Sequence, residues 1–339
     1  MSDLPGLDLD AVAAWIDASA PGLRQGPLAG SVIVGGLSNL TYRVTDGTST
    51  WALRRPPLGH VLSTAHDMTR EFRVISALSG TAVPVATPVI LCEDVEVNGA
   101  PFYLMSYVDG VVLDRPDVLA SLTPGDARRA CELLVDTLLA LHEVDPVDVG
   151  LEQFGRPHGF LERQVKRWRT QWEASETGPR AGLDDLVARL ADLTPEQEAP
   201  GVVHGDYRLT NVIYSQGIDR IAAVVDWEMA ALGDPLTDVG LLVVYQTLGE
   251  QGMFGAAPLS EAAGFLRPDE MVQRYAAGSS RDLAALPWYV AFGWFKLAVI
   301  AEGIHARYLQ GKTVGDGFSQ LGASVPRLLD ASRHWLDRL

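Results

Sequence analysis

The sequence predicts an α+β protein of two lobes, the first rich in β-strands and the second mostly helical. Three observations predict this class. The 339 residues suffice for about two domains of ordinary size. Short β-type runs bounded by turn residues fill the first 108 residues. From Thr123 onward, apolar residues recur mainly at helical spacing. We therefore place one lobe in residues 1–108 and the other in residues 109–339.

The first lobe is predicted to begin with a short amphipathic helix over residues 9–18. A β-type run at 31–34 follows, and runs at 40–44 and 51–54 form a hairpin around Asp46-Gly47, a dipeptide that favours tight turns. Residues 66–78 read as a long helix because their apolar side chains fall on one face. Two further strands, 89–94 and 101–108, flank an Asn98-Gly99 turn.

The second lobe is predicted to contain a helix over 124–142, with Thr123 as its N-cap. Helices over 160–174 and 184–193 follow. A strand pair, 202–203 with 212–214, interrupts them, and another β-type run covers 221–225. Helices resume at residue 238 and continue to the end.

Composition excludes several classes of function. The net charge of −16 opposes binding to nucleic acid or to an anionic membrane surface. Cys92 and Cys131 form no CxxC pair, so neither a zinc framework nor a disulfide scaffold is indicated. The most apolar of the long stretches, 288–301, is too short to span a bilayer and carries Lys296. The N-terminus shows no signal-peptide pattern, and we expect a soluble, cytoplasmic protein.

The strongest motif is the segment His204–Asn211, HGDYRLTN. Asp206 and Asn211 stand five residues apart in a loop between apolar runs, and Asp226 follows fifteen residues later, after the next run. Phosphoryl transfer needs one carboxylate to accept a hydroxyl proton, and an amide and a second carboxylate to hold Mg²⁺. The alternative is an Asp/Asn turn that only caps backbone groups. The second motif at this spacing favours phosphoryl transfer.

HGDxxxxN followed by a strand ending in DWE resembles the aminoglycoside phosphotransferase and choline kinase branch of the protein-kinase-like fold. The resemblance covers roughly residues 28–315. It implies an ATP-dependent kinase that acts on the hydroxyl of a small molecule. Asp206 then matches the catalytic base, and Asn211 and Asp226 match the ligands of Mg²⁺. Arg208 matches the position of a cation that faces the transferred phosphate.

The same resemblance assigns nucleotide-binding residues in the first lobe. Arg54 matches the cation on the α- and β-phosphates, with Arg55 as the alternative, and Glu71 matches its ion-pair partner. Ala52 lies two residues before Arg54, on the same face of a strand, and matches the residue that meets adenine. The remaining matches are a phosphate-binding loop (Gly35, Gly36, Ser38, Asn39) and a hinge whose backbone binds adenine (Ser106, Tyr107, Val108).

The residues flanking the motifs suggest supporting roles. His204 and Asp238 match residues that brace the catalytic loop in this family. A base role for His204, in place of Asp206, is the alternative. Glu228 is a candidate for reaching the metal through a water molecule.

The spacers, beginning with LRRPP at residues 53–57, resemble the phosphotransferase domains associated with acyl-CoA dehydrogenases. This resemblance implies a hydroxyacyl-CoA-type acceptor. Four cations in one predicted helix suit an anionic acceptor, although ion pairs to neighbouring glutamates would also explain them (Arg163, Lys166, Arg167, Arg169). The alternatives are an antibiotic phosphotransferase and a nucleotide-binding pseudokinase. The oligomeric state and the choice between ATP and GTP stay open.

Overall fold

The computed structural model describes residues 4–33, 39–58, 67–197, 199–251, 259, 263–311 and 321–339. The chain divides into two compact units. The first contains Met1–Val111, Ile213–Gln216 and Ile221–Ala230. The second contains Val112–Val212, Gly217–Arg220 and Ala231–Leu339. The chain therefore leaves the first unit near the predicted lobe boundary and returns to it for two short segments.

The first unit is built on a five-stranded antiparallel sheet of order β1-β2-β3-β5-β4. The Asp46 carboxylate accepts the N–H groups of Thr48 and Ser49 at 2.8 and 2.6 Å, which closes the β2–β3 hairpin. Gly47 supplies the positive φ of 88° that this turn requires. The strands are β1 (Ala29–Val32), β2 (Leu40–Thr45), β3 (Thr50–Arg55), β4 (Pro88–Cys92) and β5 (Phe102–Ser106).

The two faces of this sheet have different roles. Helix α1 (Leu9–Ser19) contributes Val12 and Ile16 to a core that also contains Trp51 and Leu53 of β3. Because side chains alternate along a strand, Ala52 and Arg54 lie on the opposite face. Helix α2 (Met68–Leu78) belongs to the same unit and starts at the N-cap Asp67.

Residues 95–98 differ from the predicted turn, because they form a short helix, α3 (Val95–Asn98). Asp94 caps it by accepting the N–H of Glu96 at 2.9 Å, and Gly99 ends it with a φ of 73°. Asn98 is buried and accepts the N–H of Asp8 at 2.9 Å. The Asn-Gly pair is therefore a helix end tied to the N-terminal segment, while β4 and β5 still pair as predicted.

The second unit is mostly helical. The predicted helix over 124–142 is present with its Thr123 cap. Two helices, α8 (Leu236–Gln251) and α10 (Leu286–Leu309), are buried along most of their length. This burial explains why their apolar residues show no single face. The helices are α4 (Pro116–Ala120), α5 (Pro124–His142), α6 (Phe160–Glu173), α7 (Leu183–Asp192), α8 (Leu236–Gln251), α9 (Pro268–Gly278), α10 (Leu286–Leu309) and α11 (Leu321–Leu336).

The predicted pairing of 202–203 with 212–214 is wrong. Strand β6 (Gly201–Val203) pairs antiparallel with β9 (Ala231–Gly233), with Val202 opposite Leu232. Strand β7 (Val212–Tyr214) pairs with β8 (Ile221–Val224) instead. Strand β9 was not predicted from the sequence, because three residues that end in glycine show no strand periodicity.

The α+β prediction, a β-rich first part and a mostly helical second part, is confirmed. Within the described residues, no helix combines the length and the apolar character needed to cross a membrane.

Candidate active site

The segment from His204 to Asn211 leaves strand β6 in the second unit and is fixed by the first turn of α8. The Asp238 carboxylate accepts the N–H groups of His204 and Gly205 at 2.7 and 2.8 Å. Gly205 has a φ of 82°, a conformation that glycine adopts without strain. The N–H of Asp206 donates to His204 Nδ1 at 3.2 Å. His204 and Asp238 thus hold the backbone on which Asp206 is carried.

Asp238 is itself supported by buried side chains. His142 Nε2 lies 3.5 Å from Asp238 Oδ2, and the His142 Nδ1 is 2.8 Å from the Tyr275 hydroxyl. Burial opposes ionisation of Asp238, but His142 and His204 hold the pKa of this carboxyl below its usual value. Burial lowers the pKa of His142. The brace is therefore an ionised carboxylate against a histidine that resists protonation.

The Asp206 carboxylate receives donors on both oxygens. The Asn211 Nδ2 donates to Asp206 Oδ2 at 2.8 Å and to its backbone carbonyl at 2.8 Å. The Tyr245 hydroxyl of α8 donates to Oδ1. Arg208 Nε stands 3.4 Å from Oδ2. These contacts orient the carboxylate, and its side chain keeps 22% of its surface exposed, so a ligand can reach it.

Arg208 occupies the outer side of this group. Its side chain is 40% exposed, and its guanidinium carbon lies 5.1 Å from the centroid of the Tyr245 ring. The attraction between the cation and the ring face holds Arg208 beside Asp206. The family resemblance implied a cation at this position facing an anionic group, and this role stays a prediction.

Two residues of this group were missed by the sequence analysis as site residues: Tyr245 and Lys296. Lys296, in α10, is 5% exposed, and its Nζ donates to the Gly205 carbonyl at 2.5 Å. Burial lowers the pKa of Lys296, while the charges of Asp206 and Asp238 oppose that shift. For Lys296 the available signal was a lone charged residue in a long apolar stretch, whereas Tyr245, which is followed by Gln246 and Thr247, carried no such signal.

In the first unit, Arg54 forms two ion pairs. Its Nε donates to Glu71 Oε2 at 3.0 Å, and its Nη2 donates to Asp226 Oδ1 at 2.5 Å. Burial opposes the charge of Arg54, but Glu71 and Asp226 hold its pKa above its usual range. Burial raises the pKa of Glu71, and Arg54 counters this. The ion pair that the family resemblance implied is present in the structure.

The Arg55 side chain is committed elsewhere. Its Nη1 donates to the carbonyls of Asn98, at 3.0 Å, and Gly6, and its Nε donates to Pro56 at 3.1 Å. Arg55 therefore fastens the N-terminal segment to the sheet. Of the two alternatives, Arg54 is the one that forms the ion pair with Glu71.

The structure describes only part of the predicted phosphate-binding loop. Gly35, Gly36 and Ser38 fall outside the described residues. Asn39 is buried, and its Nδ2 donates to Glu228 Oε2 at 3.0 Å. That bond ties the start of β2 to the segment after Asp226, so Glu228 is used within the protein.

Part of the predicted hinge backbone is already used by the sheet. The N–H of Ser106 donates to Thr87 O at 2.8 Å, and the N–H of Tyr107 donates to Thr50 O at 3.3 Å. Of the three predicted hinge residues, Val108 is therefore the best candidate donor to an external ligand.

Asn211 and Asp226, the predicted ligands of Mg²⁺, belong to the second and the first unit respectively. The Asn211 Nδ2 donates twice to Asp206, so its Oδ1 is the atom that can face a cation. Asp226 has a left-handed backbone conformation, with φ 68° and ψ 62°. Within the described ranges, no group of three or more His, Cys, Asp or Glu residues is arranged for a metal. Asn211 and Asp226 each offer an oxygen donor of the kind that Mg²⁺ prefers.

Curated relatives match over most of this chain. Acyl-CoA dehydrogenase family member 11 of Gallus gallus is 31% identical over 346 residues, covering 98% of this chain and 44% of the relative. Family member 10 of Mus musculus is 32% identical over 298 residues, covering 85% of this chain and 27% of the relative. The chain thus spans less than half the length of these relatives.

Solved structures share the fold. A proposed aminoglycoside phosphotransferase from Ralstonia eutropha has a TM-score of 0.82 and 30% identity, covering 98% of each chain. The Plasmodium vivax ethanolamine kinase has a TM-score of 0.61 and 13% identity, covering 96% of this chain and 85% of its own. An aminoglycoside phosphotransferase crystallised with AMP-PNP and hygromycin B also has a TM-score of 0.61, at 15% identity, covering 96% of this chain and 98% of its own. The model of the phosphotransferase enzyme family matches residues 30–287. The chain, with its oriented Asp206 and Asn211 on a braced loop, belongs to this phosphotransferase family.

Proposed function

We propose that the protein is an ATP- and Mg²⁺-dependent kinase that transfers the γ-phosphoryl group to a hydroxyl of a small molecule. One observation carries the proposal. The Asp206 carboxylate is oriented by Asn211 and Tyr245, on a loop anchored by Asp238, and it stays accessible from solvent. A carboxylate held in this way is suited to accept a proton from an acceptor hydroxyl.

The reaction follows from the groups around Asp206. The acceptor oxygen forms a bond to the γ-phosphorus while its proton passes to the Asp206 carboxylate. The bond from the γ-phosphorus to the bridging oxygen breaks, and ADP leaves with that electron pair. The partly exposed side chain of Arg208 places its positive charge against the negative charge on the transferred group. A positioned base contributes about 10²- to 10⁴-fold to such a step.

We assign the nucleotide to the residues of the first unit. Arg54 binds the α- and β-phosphates, and the Val108 N–H binds adenine, beside the small side chain of Ala52. Asn211 and Asp226 hold Mg²⁺. When bound, Mg²⁺ neutralises phosphate charge. The ion pair with Arg54 orients the Asp226 carboxylate.

We assign the acceptor to hydroxyacyl-CoA-type molecules. The curated relatives that match most of this chain are acyl-CoA dehydrogenase family members. Basic side chains also lie near Asp206. Arg208 Nε stands 3.4 Å from its carboxylate, and the buried Lys296 donates to the loop at the Gly205 carbonyl. Such surroundings favour an anionic acceptor over a polycationic antibiotic.

The predicted basic helix face is only partly available for such an acceptor. Arg169 pairs with Glu173 at 2.8 Å and with Asp184 at 2.6 Å, and Arg163 donates to the carbonyls of His158 and Arg156. Lys166 and Arg167 are exposed. The proposed contact with an anion therefore rests on Arg167 and Arg208 rather than on the whole face.

The test is a turnover assay with ATP, Mg²⁺ and three sets of acceptors: hydroxyacyl-CoAs, aminoglycosides and choline. We expect a phosphorylated hydroxyacyl product, and an Asp206→Asn variant should lose about 10²- to 10⁴-fold in kcat. Asp192→Asn, the same change at an exposed site in α7, is the matched control and should keep full activity. Turnover of aminoglycosides alone would make the protein an antibiotic kinase. ATP binding without any product would favour the pseudokinase alternative.

A further inference from the structure

A buried lysine beside the catalytic loop calls for an explanation. Lys296 lies near the middle of α10 and is 5% exposed. Its neighbours on the helix, Phe295 and Leu297, are buried apolar residues. An aliphatic side chain at this position would avoid the cost of removing an ammonium group from water. The charge is therefore retained at a cost to stability, which points to a role in the site.

The Lys296 ammonium group contacts a backbone carbonyl and the face of an aromatic ring. Its Nζ donates to the Gly205 carbonyl at 2.5 Å, and it stands 5.4 Å from the centroid of the Trp168 ring. The attraction between the cation and the ring face restricts where the ammonium can move. Lys296 thus presents its charge and its donor in one direction, toward the residue that precedes Asp206.

That carbonyl belongs to the peptide group that carries Asp206. The Gly205 carbonyl and the Asp206 N–H lie in one rigid plane. Lys296 holds the oxygen of this plane, and His204 Nδ1 accepts its N–H at 3.2 Å. Gly205 on its own gives the chain wide freedom. With both ends of the plane held, the position of the Asp206 backbone is fixed.

We infer that Lys296 is a positioning residue for phosphoryl transfer: its ammonium group, held against Trp168, fixes the Gly205 carbonyl and thereby the orientation of Asp206. The inference rests on the proposed function, because Asp206 is the base in that proposal. It adds a residue of α10 that contacts the loop directly without contacting the reacting atoms.

Two substitutions of Lys296 distinguish the effect of its hydrogen bond from the effect of its side-chain volume. Lys296→Met keeps a long unbranched side chain but has no donor and no charge. Lys296→Gln keeps an N–H donor for the Gly205 carbonyl without the charge. Glu302→Gln is the matched control, because Glu302 is a fully buried charge on the same helix that binds Thr177 and Arg180 instead of the loop.

The assay measures kcat and the KM for ATP for each variant, after thermal melting has established the folded fraction. We expect Lys296→Met to lower kcat about 10²-fold, the loss typical of a misplaced catalytic group, with the KM for ATP changed less than about threefold. Lys296→Gln should recover about tenfold of that loss. Glu302→Gln should leave kcat of the folded protein within about threefold of the original.

Hydrogen–deuterium exchange supplies a second measurement on the same proteins. We expect the Gly205 and Asp206 amides to exchange faster in Lys296→Met than in Glu302→Gln. The inference is overturned if Lys296→Met keeps kcat within threefold, if Lys296→Gln is no better than Lys296→Met, or if exchange at these two amides is unchanged. Failure of the proposed function looks different, because the original protein would then transfer no phosphoryl group at all.

Discussion

Replacing Arg54 by methionine tests the ionic centre of the first unit. The substitution leaves Glu71, 2% exposed, as a buried carboxylate without its cation. Removing one partner of a buried ion pair costs about 3–5 kcal/mol. Asp226 adds little, because its side chain is 23% exposed and water replaces part of the lost interaction. Glu71 escapes part of the penalty by taking up a proton, so we expect a loss of about 3 kcal/mol in the free energy of unfolding at pH 7.5.

Urea unfolding at two pH values measures this loss. Burial already raises the pKa of Glu71, and loss of Arg54 raises it further, so the carboxyl is neutral over a wider range of pH in the variant. The cost of Arg54→Met should therefore be smaller at pH 5.5 than at pH 7.5. A double variant with Glu71→Gln should recover part of the loss, because no buried charge remains unpaired.

The matched control is Arg43→Met, which removes an exposed guanidinium from the neighbouring strand. We expect it to change the free energy of unfolding by less than about 1 kcal/mol. A loss below 1 kcal/mol for Arg54→Met at pH 7.5 would show that the Glu71 carboxylate does not depend on its cation.

Two further predictions concern the second unit. Tyr245→Phe removes the hydroxyl that donates to Asp206 Oδ1. Steady-state kinetics should show kcat reduced about tenfold with the KM for ATP unchanged, as expected for a lost hydrogen bond to a charged group. An unchanged kcat would show that Asn211 alone orients the carboxylate. The stability of the protein should fall as the pH drops below about 6.5, because the unfolded chain then protonates His142 whereas burial lowers the pKa of His142 in the folded chain. His142 contributes a slope of at most about 1.4 kcal/mol per pH unit to the free energy of unfolding. A further loss of stability follows below about pH 4, because the pKa of Asp238 is lowered in the folded state. Urea unfolding of His142→Gln should show a free energy of unfolding that depends less on pH between pH 6.5 and 5.5.

Much of the fold was predictable from local patterns. The helix over Pro124–His142 was predicted at its observed bounds, because a Thr cap and a helical apolar period mark it. The β2–β3 hairpin followed from Asp46-Gly47. Strand β9 was missed since it has only three residues, and its pairing with β6 depends on chain segments far apart in sequence.

The candidate site residues that belong to a motif with a fixed spacing were predictable from the sequence. Asp206 and Asn211 were singled out from their separation, and the structure joins them by a hydrogen bond. Tyr245 and Lys296 could not be assigned, because their contacts span 39 and 91 residues of sequence. Sequence alone left Arg54 and Arg55 as alternatives, and only the contacts of Arg55 with backbone carbonyls distinguish them.

The most direct test of the central claim is transfer of the γ-phosphoryl group itself. ATP labelled with ³²P at the γ-position is incubated with Mg²⁺, a hydroxyacyl-CoA and either the original protein or Asp206→Asn, and the label in the acceptor is counted. We expect label in a phosphate ester of the acceptor hydroxyl, with the rate reduced about 10²- to 10⁴-fold by the substitution. Equal label with both proteins, or label only in inorganic phosphate, would contradict the claim.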